Sequence, residues 1–208
     1  MAKGYWVAHV DVQDAEAYKD YVASNGVAFA KFGGRFLVRG GQFQALEGSS
    51  RSRNVVIEFP SYEAALACWN SPEYKAAKAK QRGGATIDMI VVEGYDGPQP
   101  PAIGTPPAPA RLKGYWIAHV DVSDAEAYKV YIAANQKAFG MFGARYLVRA
   151  GRGEVMEGRQ RSRTVVLEFP SYEAALACYR SPEYQAAKKL REGKAEADLV
   201  VIEAFEGH

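Results

Sequence analysis

The chain is 208 residues long, with a formal net charge of +2, 48% hydrophobic and 24% charged residues, the balance of an ordinary globular fold. That charge is too small to drive binding to nucleic acid or an anionic membrane surface, and no apolar run approaches the roughly 18–20 residues that span a bilayer. The opening Met-Ala-Lys-Gly-Tyr-Trp has no apolar signal core and leads straight into a strand pattern, so a cytoplasmic location is expected.

Tyr5 to Val12 is rich in β-branched and aromatic residues and ends at an Asp-rich turn, which predicts the first strand. Asp14 is the N-cap of a helix predicted over Ala15 to Phe32 that stops at Gly33-Gly34. Its apolar stripe carries Tyr18, Tyr21, Val22, Phe29 and Phe32. Arg35 to Arg39 reads as the second strand and closes on Gly40-Gly41. Residues 42–51 read as a loop or hairpin tip. Asn54 to Phe59, ended by Pro60, is the third strand; Ser61 caps a helix through Trp69, and Ser71-Pro72-Glu73 starts a further short one. Ile87 to Tyr95 is the fourth strand. The order βαββαβ predicts an α+β, ferredoxin-like unit, an antiparallel sheet with its helices on one face.

Six of the ten prolines fall in residues 98–112, a segment that can hold neither a helix nor a ladder and that reaches up to roughly 45 Å when extended. Beyond it the first unit returns at a constant offset of 110. Lys3-Gly4-Tyr5-Trp6 recurs as Lys113-Gly114-Tyr115-Trp116, and Glu58 to Cys68 recurs unchanged as Glu168 to Cys178. The chain is therefore a tandem duplication, divided as repeat one (1–97), a proline-rich linker (98–112) and repeat two (113–208).

With helices on only one side, the other sheet face must meet water or a second sheet. Alternation separates Trp6, Ala8 and Val10 from Tyr5, Val7 and His9, and Phe36 and Val38 from Leu37 and Arg39. It also separates Val55, Ile57 and Phe59 from Asn54, Val56 and Glu58, and Ile90 and Val92 from Met89, Val91 and Glu93. The wholly apolar sets are expected under the helices. The mixed sets, bearing His9, Arg39, Glu58 and Glu93, are expected between the two repeats, packed sheet to sheet.

That placement nominates the site residues. His9 and His119 are candidate general bases, with Glu58 and Glu168 beside them. Arg39 and Arg149 are candidate grips for a carboxylate or enolate oxygen. Asn25 and Asn135, on the apolar stripe of the first helix, and Tyr5 and Tyr115 complete the ligand-binding set. Each has a structural alternative: a histidine bonded across the interface, a salt bridge between neighbouring strands, a buried amide tying a helix to a loop. The Arg51-Ser52-Arg53 cluster reads as solvated. Cys68 and Cys178 read as small buried hydrophobes. No His/Cys spacing predicts a metal site, the Gly-Gly pairs do not follow nucleotide-binding spacings, and no cofactor is expected.

The strings Tyr-Trp-x-Ala-His-Val-Asp-Val, Gly-Gly-Arg-Phe-Leu-Val-Arg-Gly-Gly, Val-Val-Ile-Glu-Phe-Pro-Ser and Ser-Pro-Glu-Tyr together resemble the DUF1330 family over both repeats. The resemblance implies a dimeric α/β barrel, built here within one chain, and implies no activity. Two functions stay open. One is a cofactor-free enzyme acting on a small carbonyl or carboxylate compound. The other is a non-catalytic binding or self-associating protein, with further homo-oligomerisation compatible with either.

Overall fold

The structure, a computed structural model, describes residues 2–207. Repeat one runs β1 (Gly4–Val12), α1 (Ala15–Lys31), β2 (Arg35–Arg39), β3 (Phe43–Glu47), β4 (Arg53–Phe59), α2 (Tyr62–Asn70), α3 (Pro72–Ala79) and β5 (Ala85–Glu93). Repeat two matches it as β6 (Gly114–Val122), α4 (Ala125–Met141), β7 (Arg145–Arg149), β8 (Gly153–Glu157), β9 (Arg163–Phe169), α5 (Tyr172–Arg180), α6 (Pro182–Lys189) and β10 (Ala195–Glu203). The helix starts are fixed by side chains. Asp14 accepts from the amides of Glu16 and Ala17, Ser61 from Ala64, and Ser71 from Tyr74 with Pro72 in the first turn. Each such cap is worth about 1 kcal/mol.

Trp6 locks the helical layer to the sheet. Its indole N–H donates to the carbonyl of Ala65 at 3.0 Å, and its ring meets those of Phe29, Phe59 and Tyr74 at 4.8–5.4 Å. Close approach of α2 depends on Gly4, where a Cβ would lie 2.3 Å from the carbonyl oxygen of Ser61.

The predicted loop at 42–51 is instead a strand with a distant partner. The two five-stranded antiparallel sheets have the orders β2-β4-β1-β5-β8 and β3-β10-β6-β9-β7. β3 leaves its own repeat to pair with β10, and β8 crosses the other way to pair with β5. The sheets therefore exchange their outer strands. They face each other through a shared apolar core that includes Val7, Leu37, Val56, Ile90, Ile117, Leu147 and Val166. Single bonds from Tyr95 N to the Leu147 carbonyl and from Phe205 N to the Leu37 carbonyl, both 2.8 Å, stitch each sheet to the other's edge. This is the two-sheet arrangement of a dimeric α/β barrel, made by one chain and not closed into a continuous barrel.

Two expectations about sheet faces are corrected. A bulge between Phe36 and Val38, repeated between Tyr146 and Val148, turns both Leu37 and Val38 into the inter-sheet core. The extra residue flips Arg39 and Arg149 to the helix side. In β5, Trp6 lies opposite Val91 and Val7 opposite Ile90, and cross-strand neighbours share a face. Ile90 and Val92 therefore enter the inter-sheet core while Met89 and Val91 lie under the helices. The acid that β5 offers to the interior is Asp88, opposite His9, and not Glu93.

Residues 1–97 expressed alone would keep an unpaired β3 and an open β5 edge. Light scattering is expected to show a concentration-dependent dimer in which two copies exchange β3. A folded monomer would show that the exchanged strand is dispensable.

Candidate functional site

β1 and β6 run through the middle of their sheets and bring His9 and His119 face to face. Their Nε2 atoms are 2.8 Å apart, with ring planes at 82°. Behind them the repeats differ. His9 Nδ1 lies 2.6 Å from Asn54 Oδ1, and His119 Nδ1 lies 3.1 Å from Thr164 Oγ1. With the Asn54 carboxamide turned so that Oδ1 faces the ring and Nδ2 is buried without a partner among the described residues, His9 carries its proton on Nδ1 and presents a lone pair at Nε2. His119 then carries its proton on Nε2, donates it to His9, and accepts from the Thr164 hydroxyl. One Asn/Thr difference between the repeats thus fixes opposite tautomers on two otherwise equivalent histidines.

Both rings are buried, and burial pushes both imidazoles below the ordinary histidine value, His119 well below it. A further proton displaces a bond that the neutral rings make: at His9 Nε2 it meets the His119 N–H, and at His119 Nδ1 it meets the Thr164 hydroxyl hydrogen. Unfolding releases that constraint, so stability is complete above the free-imidazole value of about 6.5 and falls as pH drops from there toward the depressed native values. Thermal melts between pH 7.5 and 5 are expected to show this loss, and His119→Gln should flatten it. An unchanged pH slope in that variant would mean that the pair does not titrate as described.

The pair forms the floor of a cavity of about 800 Å³ that both repeats line, well within the range of ligand sites. Its walls are two pseudo-symmetric ion clusters. Arg51 reaches Asp88 at 2.6 Å and Asp11 at 2.9 Å, and Arg161 reaches Asp198 at 2.6 Å and Asp121 at 3.2 Å. Gln160 also lines the wall, and its amide nitrogen has no partner among the described residues. Arg51, Arg161, Asp88 and Asp198 are functional candidates that sequence reasoning missed. The available signal was an acid two positions before Ile90 on one strand face.

The other nominated residues lie elsewhere. Glu58, opposite Tyr5 on β1, stands four residues from His9, about 13 Å along the strand. There it binds Lys3 at 2.6 Å, Arg35 at 2.9 Å and the Tyr5 hydroxyl at 3.2 Å. Burial alone would raise its carboxyl, but the two cations outweigh that and hold it below the usual range. Glu168 repeats the arrangement with Lys113, Arg145 and Tyr115. The trio of histidine, arginine and glutamate therefore does not converge. Asn25 and Arg39 meet in a small pocket under α1, and Asn135 and Arg149 meet under α4.

Cys68 and Cys178 are fully buried, and burial raises both thiols, Cys68 to about 12. Native protein is expected to react with a thiol reagent only at its unfolding rate, so rapid labelling of either cysteine would contradict this placement. Among the described residues no group of three or more His, Cys, Asp or Glu side chains is arranged to hold a metal ion, and no helix is long and apolar enough to cross a membrane.

Two exchanged five-stranded sheets, helices outside and a polar cavity between repeats, define a dimeric α/β-barrel protein in tandem form. The family model described as "Domain of unknown function (DUF1330)" matches residues 3–95 and again 113–205, so the chain belongs to the DUF1330 family. No curated protein matches it. Among solved structures it is similar to an anthrone oxidase-like protein, at 13% identity over 99% of this chain and 92% of that one, with a TM-score of 0.55. It is also similar to a chlorite dismutase from Candidatus Nitrospira defluvii, at 7% identity over 95% and 90% of the two chains, with a TM-score of 0.50. A protein of unknown function from Rhodopseudomonas palustris shares 23% identity over 46% of this chain and 85% of that one, with a TM-score of 0.39. The first two likenesses concern the fold.

Proposed function

We propose that the inter-repeat cavity binds a small compound bearing a carbonyl or carboxylate group, and that the His9–His119 pair exchanges a proton with it. The observation that carries this reading is the opposed pair of neutral tautomers on the cavity floor. When a ligand takes the place of the histidine–histidine contact, His9 Nε2 offers a lone pair and His119 Nε2 offers an N–H, side by side. His9 takes a proton from the carbon next to the carbonyl, and His119 hydrogen-bonds the oxygen on which negative charge develops. The charge gained by His9 is opposed by burial and by Arg51, and is favoured by the carboxylates of Asp88 and Asp198. The unpartnered amide of Gln160 adds a donor for an acceptor oxygen. No cofactor is required by this chemistry.

A second reading, a binder without turnover, is favoured by the partners that all four ring nitrogens already have. The test is hydrogen–deuterium exchange at C3, the carbon next to the keto group, of short 2-oxo acids in heavy water. Exchange is expected with the native chain and should fall about 10²–10⁴-fold in His9→Gln. Equal exchange in both proteins would refute the proton-transfer role. Binding without exchange, lost in Arg51→Gln, would establish the binder instead.

A further inference from the structure

The two pockets beneath the long helices differ in a concerted way. In repeat two the buried Asn135 receives its hydrogen bond from Gln136 Nε2 at 2.8 Å, and the same nitrogen lies 2.9 Å from the Tyr146 hydroxyl. Arg149 donates to the Tyr95 hydroxyl at 3.1 Å. The amide and Arg149 are thus satisfied from within, while Arg163 Nε, like Arg53 Nε in repeat one, has no partner among the described residues. In repeat one the three equivalent positions are Gly26, Phe36 and Phe205, none with a polar side-chain atom. Asn25, only 5% exposed, is left with Oδ1 unpartnered, and a Cβ at Gly26 would meet nothing within 4 Å. Arg39 lies over the rings of Phe36 and Phe205, and Arg53 lies near that of Tyr18 with its buried Nε unpartnered. Neither guanidinium has a carboxylate partner among the described residues.

Buried polar groups are normally paired, and an amide oxygen and a guanidinium require opposite complements: a donor inside and an acceptor at the mouth. The open space is about 50 Å³, room for a few non-hydrogen atoms, with walls that include Trp6, Val22 and Met89. We propose that the pocket under α1 binds a short-chain hydroxy acid, its hydroxyl donating to Asn25 and its carboxylate held between Arg39 and Arg53 at the entrance. The carboxylate sits outside the closed space, so only the hydroxylated carbon and its apolar substituent fill it. The pocket under α4 encloses a similar space, about 50 Å³, but there Gln136 already satisfies the amide and Tyr95 already accepts from Arg149. This site lies on the opposite side of the sheet from His9.

Trp6 and Trp116 line the two pockets separately and report on them through their indole N–H signals. Titration with lactate is expected to move the Trp6 signal and leave that of Trp116 in place. Propionate, which lacks the hydroxyl, should bind at least about tenfold more weakly, since the amide oxygen is left unpaired. Gly26→Gln with Phe36→Tyr rebuilds the arrangement in which the amide is satisfied from within and should abolish the Trp6 response. Gln136→Gly with Tyr146→Phe should create a response at Trp116. His9→Gln should leave the Trp6 response intact, which separates this site from the inter-repeat cavity. The proposal fails if lactate leaves Trp6 unmoved, if both indoles respond equally in the native chain, or if the Gly26→Gln/Phe36→Tyr chain folds and binds as before.

Discussion

The constraint on which the rest of the structure depends is the reciprocal exchange of β3 and β8. Neither repeat owns all the strands of its sheet, so the two sheets cannot separate without breaking ladders. Face-to-face packing, which buries Val7, Ile90 and Val56 against Ile117, Leu147 and Val166, is thereby held by backbone hydrogen bonds as well as by apolar area. The histidines meet because β1 and β6 are central strands of sheets fixed in this way. A slip of one residue in either would turn one imidazole to the wrong face.

Covalent duplication also changes what the interface can do. In a symmetric dimer, two identical histidines on the axis would have identical neighbours, and nothing would decide which one donates. With Asn54 behind one ring and Thr164 behind the other, the choice is made before any ligand arrives. The same freedom produced the divergence under the helices, where one half carries Gly26 and Phe36 and the other Gln136 and Tyr146. The linker, too, is held mostly by repeat two. Gln99 exchanges two hydrogen bonds with the backbone of Tyr146, and Ile103 N reaches the carbonyl of Gly140.

The duplication, the βαββαβ order, the caps and the inward face of β1 were legible because each rests on local patterns: repetition, capping chemistry and strict alternation. His9 is on the face that alternation assigns to it. What was not legible depends on partners far along the chain. Phe43 to Glu47 is a strand because β10, some 150 residues later, supplies its ladder. The bulge at Leu37 breaks the period of two and turns Arg39 away from the histidines. Ile90 and Val92 are apolar enough for either face, and only their register with β1 decides. Arg51 looks like a solvated loop residue until Asp88 and Asp11 are folded beside it.

The exchanged strands also bear on synthesis at the ribosome. β5 ends at Glu93, and the strand that covers its edge ends at Glu157, so 157 − 93, or 64, residues must be added before the first sheet is complete. At about 5–20 residues per second, that edge waits for roughly 3–13 seconds, its ladder groups open to any passing strand. β3 waits longer still, since its partner β10 is the last strand made. Nascent chains on one message each present the same open edge and the same unclaimed strand, so crowding on a polysome favours exchange between neighbours. The proline-rich segment, by keeping the second repeat close to the first, raises the odds that the correct strand arrives before a stranger does.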